Sequence, residues 1–257
     1  MSKPLILITN DDGITSIGIR LLAEVASQFA EVVVVAPNKA QSAMSHAITV
    51  ALPLFVKTSI VFDDIEIEAY ACSGTPADCI KLAKHVVLKD REPDLVLSGV
   101  NHGSNTSIST IYSGTIAGAM EAAMSNIPAI GFSYCNYDHS KKLDHLKGYI
   151  QRIITKALKE GLPENIALNI NFPDADEFKG VKVCRQAKAK WDEEFDHRQS
   201  PFNADYYWLA GDFVNMDDGE DTDEWAIENG YISIVPCQFD FTAYQVLNDI
   251  ANKWSDC

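Results

Sequence analysis

The stretch PLILITNDDGI, from Pro4 to Ile14, decides how the rest of the chain is read. Leu5–Thr9 is a run of strand-forming residues, and it ends within two positions of adjacent aspartates, Asp11 and Asp12. A Leu/Ile run without apolar–polar alternation suits a strand covered on both faces, as in a parallel sheet flanked by helices. Neighbouring carboxylates repel one another, and each loses hydration when drawn toward an interior. A positive charge at the exit of this strand would offset both costs.

Two further runs of the same kind follow, EVVVVAP (31–37) and DLVLSGV (94–100). Between the first two lies SIGIRLLAEVASQFA (16–30), whose apolar residues Ile19, Leu21, Leu22, Val25 and Phe29 fall on one helical face. The pattern predicts a β-α-β unit. A second helix is predicted in TPADCIKLAKHVVL (75–88), with Pro76 at an early helical position after Thr75. A third follows Ser113 in SGTIAGAMEAAMSN, where small residues permit close packing on the sheet. IPAIGFSY (127–134) and IALNINFP (166–173) read as further strands, separated by the helical LDHLKGYIQRIITKALKEG (143–161). The fold class is therefore α/β, layered, with a mostly parallel sheet.

After about Gly180 the character changes. KAKWDEEFDHRQSPFNADYYWLAGDF mixes aromatics with charge, NMDDGEDTDEWAIENG is acidic and turn-rich, and YISIVPCQFDFTAY returns to strand-like alternation. We expect one domain over residues 1–257, with a core of about 1–180 and a C-terminal excursion and arm over 181–257, a hairpin or arm that contributes to an oligomer. No internal repeat is visible.

Composition narrows the function classes. The chain has 257 residues, 47% of them hydrophobic, and carries 36 acidic against 21 basic side chains for a formal charge of −15. Such a surface repels a phosphodiester backbone, which argues against binding long nucleic acid. A small phosphorylated molecule is still accessible, because a local cation and oriented backbone amides reverse the field inside one pocket. The N-terminal apolar segment runs straight into charge without a small-residue cleavage site, and no apolar run approaches bilayer length. The six cysteines (Cys72, Cys79, Cys135, Cys184, Cys237, Cys257) include no Cys-x-x-Cys pair, so reduced thiols in a cytoplasmic protein are expected rather than a zinc site or disulfide framework.

Ligands of open α/β sheets bind beyond the carboxyl ends of the strands. Three polar clusters fall there: TNDDG with Asn10, Asp11, Asp12 and Gly13; APNKAQSAMSHAIT with Ser42 and Ser45; and SGVNHGSNTSISTIYSGT with Asn101, Asn105, Ser113, Gly114 and Thr115. Carboxylates, amide carbonyls and hydroxyls are hard donors, suited to magnesium, manganese or calcium. The YSGT helix start offers free N–H groups to a phosphate. Other readings stay open at this point. Asn-Asp-Asp-Gly also makes a plain turn in which one aspartate caps the next helix, and Ser113 also serves as an ordinary N-cap. The second DDG, Asp217–Gly219, has no buried strand before it and reads as surface loop. His46 and His102 lie in the implicated loops, where either could donate a proton. A dinucleotide-binding domain would need G-x-G-x-x-G after the first strand, which TNDDGITSIG does not supply.

In order along the chain, LITNDDGI, APNKAQSAMSHAIT, SGTPADC, SGVNHGSN and YSGTIAGAMEAAM resemble the survival protein SurE family of 5'/3'-nucleotidases, as does DEWAIENGYISIVPCQFDFTAY near the C-terminus. The resemblance implies a Rossmann-like core with a C-terminal arm exchanged between subunits of a homodimer or tetramer. It also implies a metal-dependent phosphomonoesterase acting on nucleoside 5'-monophosphates, with 3'-monophosphates as a second class. By motif position, Asp11, Asp12, Ser42 and Asn101 would bind one divalent cation per subunit, Mg or Mn. Asp11 and Asp12 would serve catalysis, and Asn105, Ser113, Gly114 and Thr115 would bind phosphate. Two alternatives are a non-enzymatic nucleotide or metal sensor, and a broad phosphatase acting on polyphosphate or other phosphomonoesters. The chain departs from the family in APNKAQ, where many members have APD-R, and in FDHRQSPFNADYYWL.

Overall fold

A computed structural model describes residues 3–255; Cys257 lies outside the described residues. In chain order the strands are β1 (Leu5–Thr9), β2 (Glu31–Pro37), β3 (Val56–Thr58), β4 (Glu68–Cys72), β5 (Leu95–His102), β6 (Ala129–Tyr134), β7 (Ile166–Phe172), β8 (Val181–Val183), β9 (Ala189–Asp192), β10 (Phe195–Gln199), β11 (Asp205–Leu209), β12 (Asp212–Asn215) and β13 (Ile232–Gln238). The helices are α1 (Ile17–Ser27), α2 (Pro76–Leu82), α3 (Gly114–Ala123), α4 (Lys147–Glu160), α5 (Asp223–Glu228) and α6 (Tyr244–Trp254).

Nine strands form one sheet in the order β3-β4-β2-β1-β5-β6-β7-β13-β8. The stretch from β4 to β7 is parallel throughout, while β3 and β13 pair antiparallel to their inner neighbours. Among these parallel strands the chain winds outward from β1 to β4 and then restarts beside β1 at β5, the doubly wound arrangement in which the crevice between β1 and β5 is the expected binding position. The three Val/Ile/Leu runs occupy the interior: every residue of β1 is buried, as are Val32–Pro37 and Leu95–Val100. One core packs α1 and α4 against one face through Ile19, Leu22, Val25, Ile150 and Ile154; the other packs α2 and α3 through Ile80, Ala119, Met120 and Ala122.

Helix starts follow local chemistry. Thr75 and Asp78 form a reciprocal capping box with Pro76 in the first turn of α2, and the Ser113 hydroxyl accepts the Ile116 N–H at 3.1 Å to cap α3. Beyond residue 180 the chain is not wholly outside the sheet. β13 pairs with β7 over six positions and brings β8 with it, while β9–β12 make two separate two-stranded ribbons. Of the stretch expected to be strand-like, 231–244, β13 takes Ile232–Gln238; at its last residue begins α6, a helix the sequence reading did not assign and of which no residue is buried. Among the described residues Cys72, Cys79 and Cys184 are buried free thiols, Cys135 and Cys237 are half-buried and free, and no helix is long and apolar enough to cross a membrane.

Candidate metal and phosphate site

The two aspartates leave the end of β1 in the middle of the sheet. Asn10, buried just before them, donates its amide to the Gly13 carbonyl at 3.0 Å and to Ser16 Oγ at 2.7 Å, closing the turn. Gly13 holds φ at +97°, with the Lys39 backbone 3.3 Å from where a Cβ would stand, so a larger residue would be strained there. Ser16, not an aspartate, occupies the N-cap position of α1. Both carboxylates are thereby left for something other than helix capping.

Asp11 is buried against the start of α3. Thr115 donates its hydroxyl to Asp11 Oδ1, and a Cβ on Gly114 would stand 2.8 Å from Asp11 Cβ, so glycine permits the contact. Burial pushes the Asp11 carboxyl up to about 6, against the lowering effect of Thr115 and with a further push from the Asp12 charge. Asp12, half-buried, turns the other way: its Oδ2 accepts the His102 backbone N–H at 3.4 Å at the end of β5.

The sequence places the third strand's end at Val100; β5 continues to His102, so Asn101 sits within it. The β5–β6 register shifts between Ser98 and Asn101, a bulge that Gly99 accommodates with φ at +124°. Asn101 donates its Nδ2 to the Gly103 carbonyl at 2.9 Å, which commits the N–H end and leaves Oδ1, the donor atom a hard cation requires. Gly18 of α1 fits against this turn because a Cβ there would fall 1.9 Å from the Val100 carbonyl oxygen.

Ser42 is exposed in the loop after β2. That loop is fixed along its length. The Gln41 N–H donates to the Asp11 carbonyl at 2.7 Å, Ser45 donates through N and Oγ to the carbonyls of Tyr112 and Ile111, and Thr49 donates twice to Asp78. His46 Nε2 stands 2.9 Å from Oε2 of buried Glu121 on α3, whose Oε1 takes Lys81 Nζ at 2.6 Å. The three polar clusters are thus tied together at the carboxyl ends of β1, β2 and β5.

Asn105 and Ser113–Thr115 line the same region with part of their capacity used. Asn105 donates Nδ2 to Ser133 Oγ at 2.8 Å, and its backbone is held by Asn171 Oδ1 at 2.9 Å and Asn169 Nδ2 at 2.8 Å. Thr115 spends its hydroxyl on Asp11. Sequence reasoning did not single out Asn169 and Asn171, although two amides inside the otherwise apolar β7 are a readable signal, since buried amides need partners. It also missed Asp223 at the start of α5, which accepts the N–H groups of Ser107 and Ala187 at 2.8 and 2.9 Å and clamps the loop beyond Asn105. The second DDG is a surface loop as read, but Asp217 is held by Arg185 at 2.5 and 2.9 Å rather than left to solvent.

Among the described residues no three His, Cys, Asp or Glu side chains gather as a metal-binding group. The fit to a cation rests on chemistry of another kind: two carboxylates, one of them buried with a raised pKa, at the end of β1, whose neighbour β5 carries the Asn101 amide. Hard divalent cations prefer that donor set.

Such a fold and site define a doubly wound α/β protein with an acidic, oxygen-donor cluster at its topological switch point. The chain matches the profile of the survival protein SurE family over residues 6–193, and it belongs to that family. It is 55% identical to the 5'-nucleotidase SurE of Cytophaga hutchinsonii over 99% of this chain and 98% of the relative, and 54% identical to that of Flavobacterium psychrophilum over the same shares. It is similar to the crystal structure of the SurE protein from Aquifex aeolicus with a TM-score of 0.83 at 38% identity, covering 97% of this chain and 99% of the other.

Proposed function

We propose that this chain is a metal-dependent 5'-nucleotidase that hydrolyses nucleoside monophosphates to nucleoside and phosphate. The observation that carries it is the pair Asp11 and Asp12 at the end of the central strand, one held by α3 and the other by β5, in a chain 55% identical to a relative named 5'-nucleotidase. Asp11, Asp12, Ser42 and Asn101 hold one cation per subunit, Mg or Mn. Bound there, it offsets the two carboxylates and polarises phosphoryl oxygens. The phosphoryl group is received by Ser113, by Gly114 at the α3 N-terminus and by the second amide N–H of Asn105, while Thr115 acts through Asp11. Asp12 takes the proton of the attacking water, phosphorus bonds that oxygen in line as its bond to the nucleoside oxygen breaks, and the departing oxygen takes up a proton from solvent to leave as the nucleoside hydroxyl. The protein works in the cytoplasm as a homodimer or tetramer joined by its C-terminal arm, without long nucleic acid as a partner.

The experiment is phosphate release from a panel of nucleoside 5'- and 3'-monophosphates and polyphosphate, using chelator-stripped protein with added Mn or Mg. Activity should depend on the metal, and Asp12→Asn should lose turnover by orders of magnitude with the fold intact. Near-normal activity of that variant refutes the assignment; nucleotide binding without release identifies a sensor instead.

A further inference from the structure

His102 stands out among the buried polar groups. It is the last residue of β5, directly after Asn101, and its side chain is 1% exposed. Neither ring nitrogen has a hydrogen-bond partner among the described residues. An imidazole buried without partners is destabilising, so its placement calls for a reason. The ring packs at a tilt against His139, whose ring centroid lies 4.8 Å away. Nδ1 lies 4.0 Å from Oδ2 of Asp12, and the backbone N–H of the same residue already donates to that oxygen at 3.4 Å.

From this geometry we infer that His102 is a positioning residue for Asp12. Its Nδ1–H and backbone N–H together hold Oδ2, which orients the carboxylate toward the cation. The inference rests on the metal site proposed above. A movement of about 1 Å by the Asp12 carboxylate brings Nδ1 within bonding range. Ligating carboxylates and imidazoles are commonly fixed by a second hydrogen-bonding layer, whose removal costs about 10- to 100-fold in metal affinity. The ring is too enclosed to hand a proton to a departing nucleoside, which leaves orientation as its role. A residue present only to fill the core would work equally well as phenylalanine or leucine.

The test uses the full-length protein, stripped of metal and titrated with Mn²⁺ by calorimetry, with melting temperature recorded before and after. His102→Phe keeps the ring volume and removes the donor; His102→Asn places an amide N–H near the position of Nδ1. The metal-free His102→Phe protein should melt at or above the wild-type temperature, because two unpartnered nitrogens are gone. Its Mn²⁺ affinity should fall at least tenfold, and at saturating Mn²⁺ kcat should drop with KM for a nucleoside 5'-monophosphate nearly unchanged. His102→Asn should recover most of the affinity. Should His102→Phe not fold, His102→Leu takes its place in the same comparison. Binding by the donor-less variant within threefold of wild type overturns the inference, as does equal weakening in His102→Asn. Failure of the wild type to bind Mn²⁺ overturns the metal site itself, a separately readable result.

Discussion

Asp11 shows what burial does to a single side chain. Its carboxyl sits at about 6 when folded, against 3.8 as the ordinary value, so between those limits the native state holds more protons than the unfolded one. Stability of the metal-free protein therefore falls as pH rises across that window and levels off above it. The full penalty is about 3 kcal/mol at 1.36 kcal/mol per unit. Asp11→Asn escapes it. In chelator, the variant and wild type should melt together near about pH 4, with the variant pulling ahead up to pH 7. Saturating Mn²⁺ should reverse the order at pH 7, since only the carboxylate binds the ion well. Thermal melts across pH, with and without metal, check each part. At this scale the sequence was readable in kind but not in pairing. Two acids after a buried strand announced an electrostatic problem, yet the Thr115–Asp11 bond joins residues 104 apart, and no local pattern encodes such a distance.

Among elements, the loop after β2 and helix α3 depend on each other through Glu121. Its carboxylate is buried yet held below the usual range. Burial, the largest effect, raises it, and the bonds from His46 and Lys81 more than compensate. A depressed carboxylate contributes stability above its unfolded value of 4.5 and loses it as pH falls through the folded one. Glu121→Gln should cost about 1–2 kcal/mol at pH 7, less than a fully buried pair because Lys81 is 47% exposed. The cost should shrink below pH 4.5 as wild-type Glu121 itself protonates; urea unfolding at several pH values measures it. The central strands and α1–α4 were legible because their periodicities are strong. β3 and β4 were not, being three and five residues long without a sustained apolar run. β5 extends beyond its expected end because a glycine bulge lets the strand continue through polar residues, while the strand-like alternation of 231–244 is realised only over β13 and gives no sign of α6, which begins at its last residue.

For the whole molecule, α6 is the feature a single chain leaves unfinished. Val246, Leu247, Ile250 and Trp254 form an apolar stripe that is 43–68% exposed, preceded by Phe241 at 89%. Under the proposed arm exchange a second subunit covers it. Removing residues 239–257 should leave a folded chain, because α6 contributes no buried residue, and should shift the mass seen by light scattering from dimer or tetramer toward monomer. An unchanged mass would assign assembly to another surface.

The Asp11–Asp12 turn issues from β1, the fourth strand of nine, with covered layers above and below. Fraying begins at margins, at β3 on one side and β8 on the other, and such partial openings do not reach the centre. Amide protons of β1 would therefore trade with solvent only when the central sheet comes apart. Catalytic competence should therefore outlast partial opening at the margins and be lost only with the central strands.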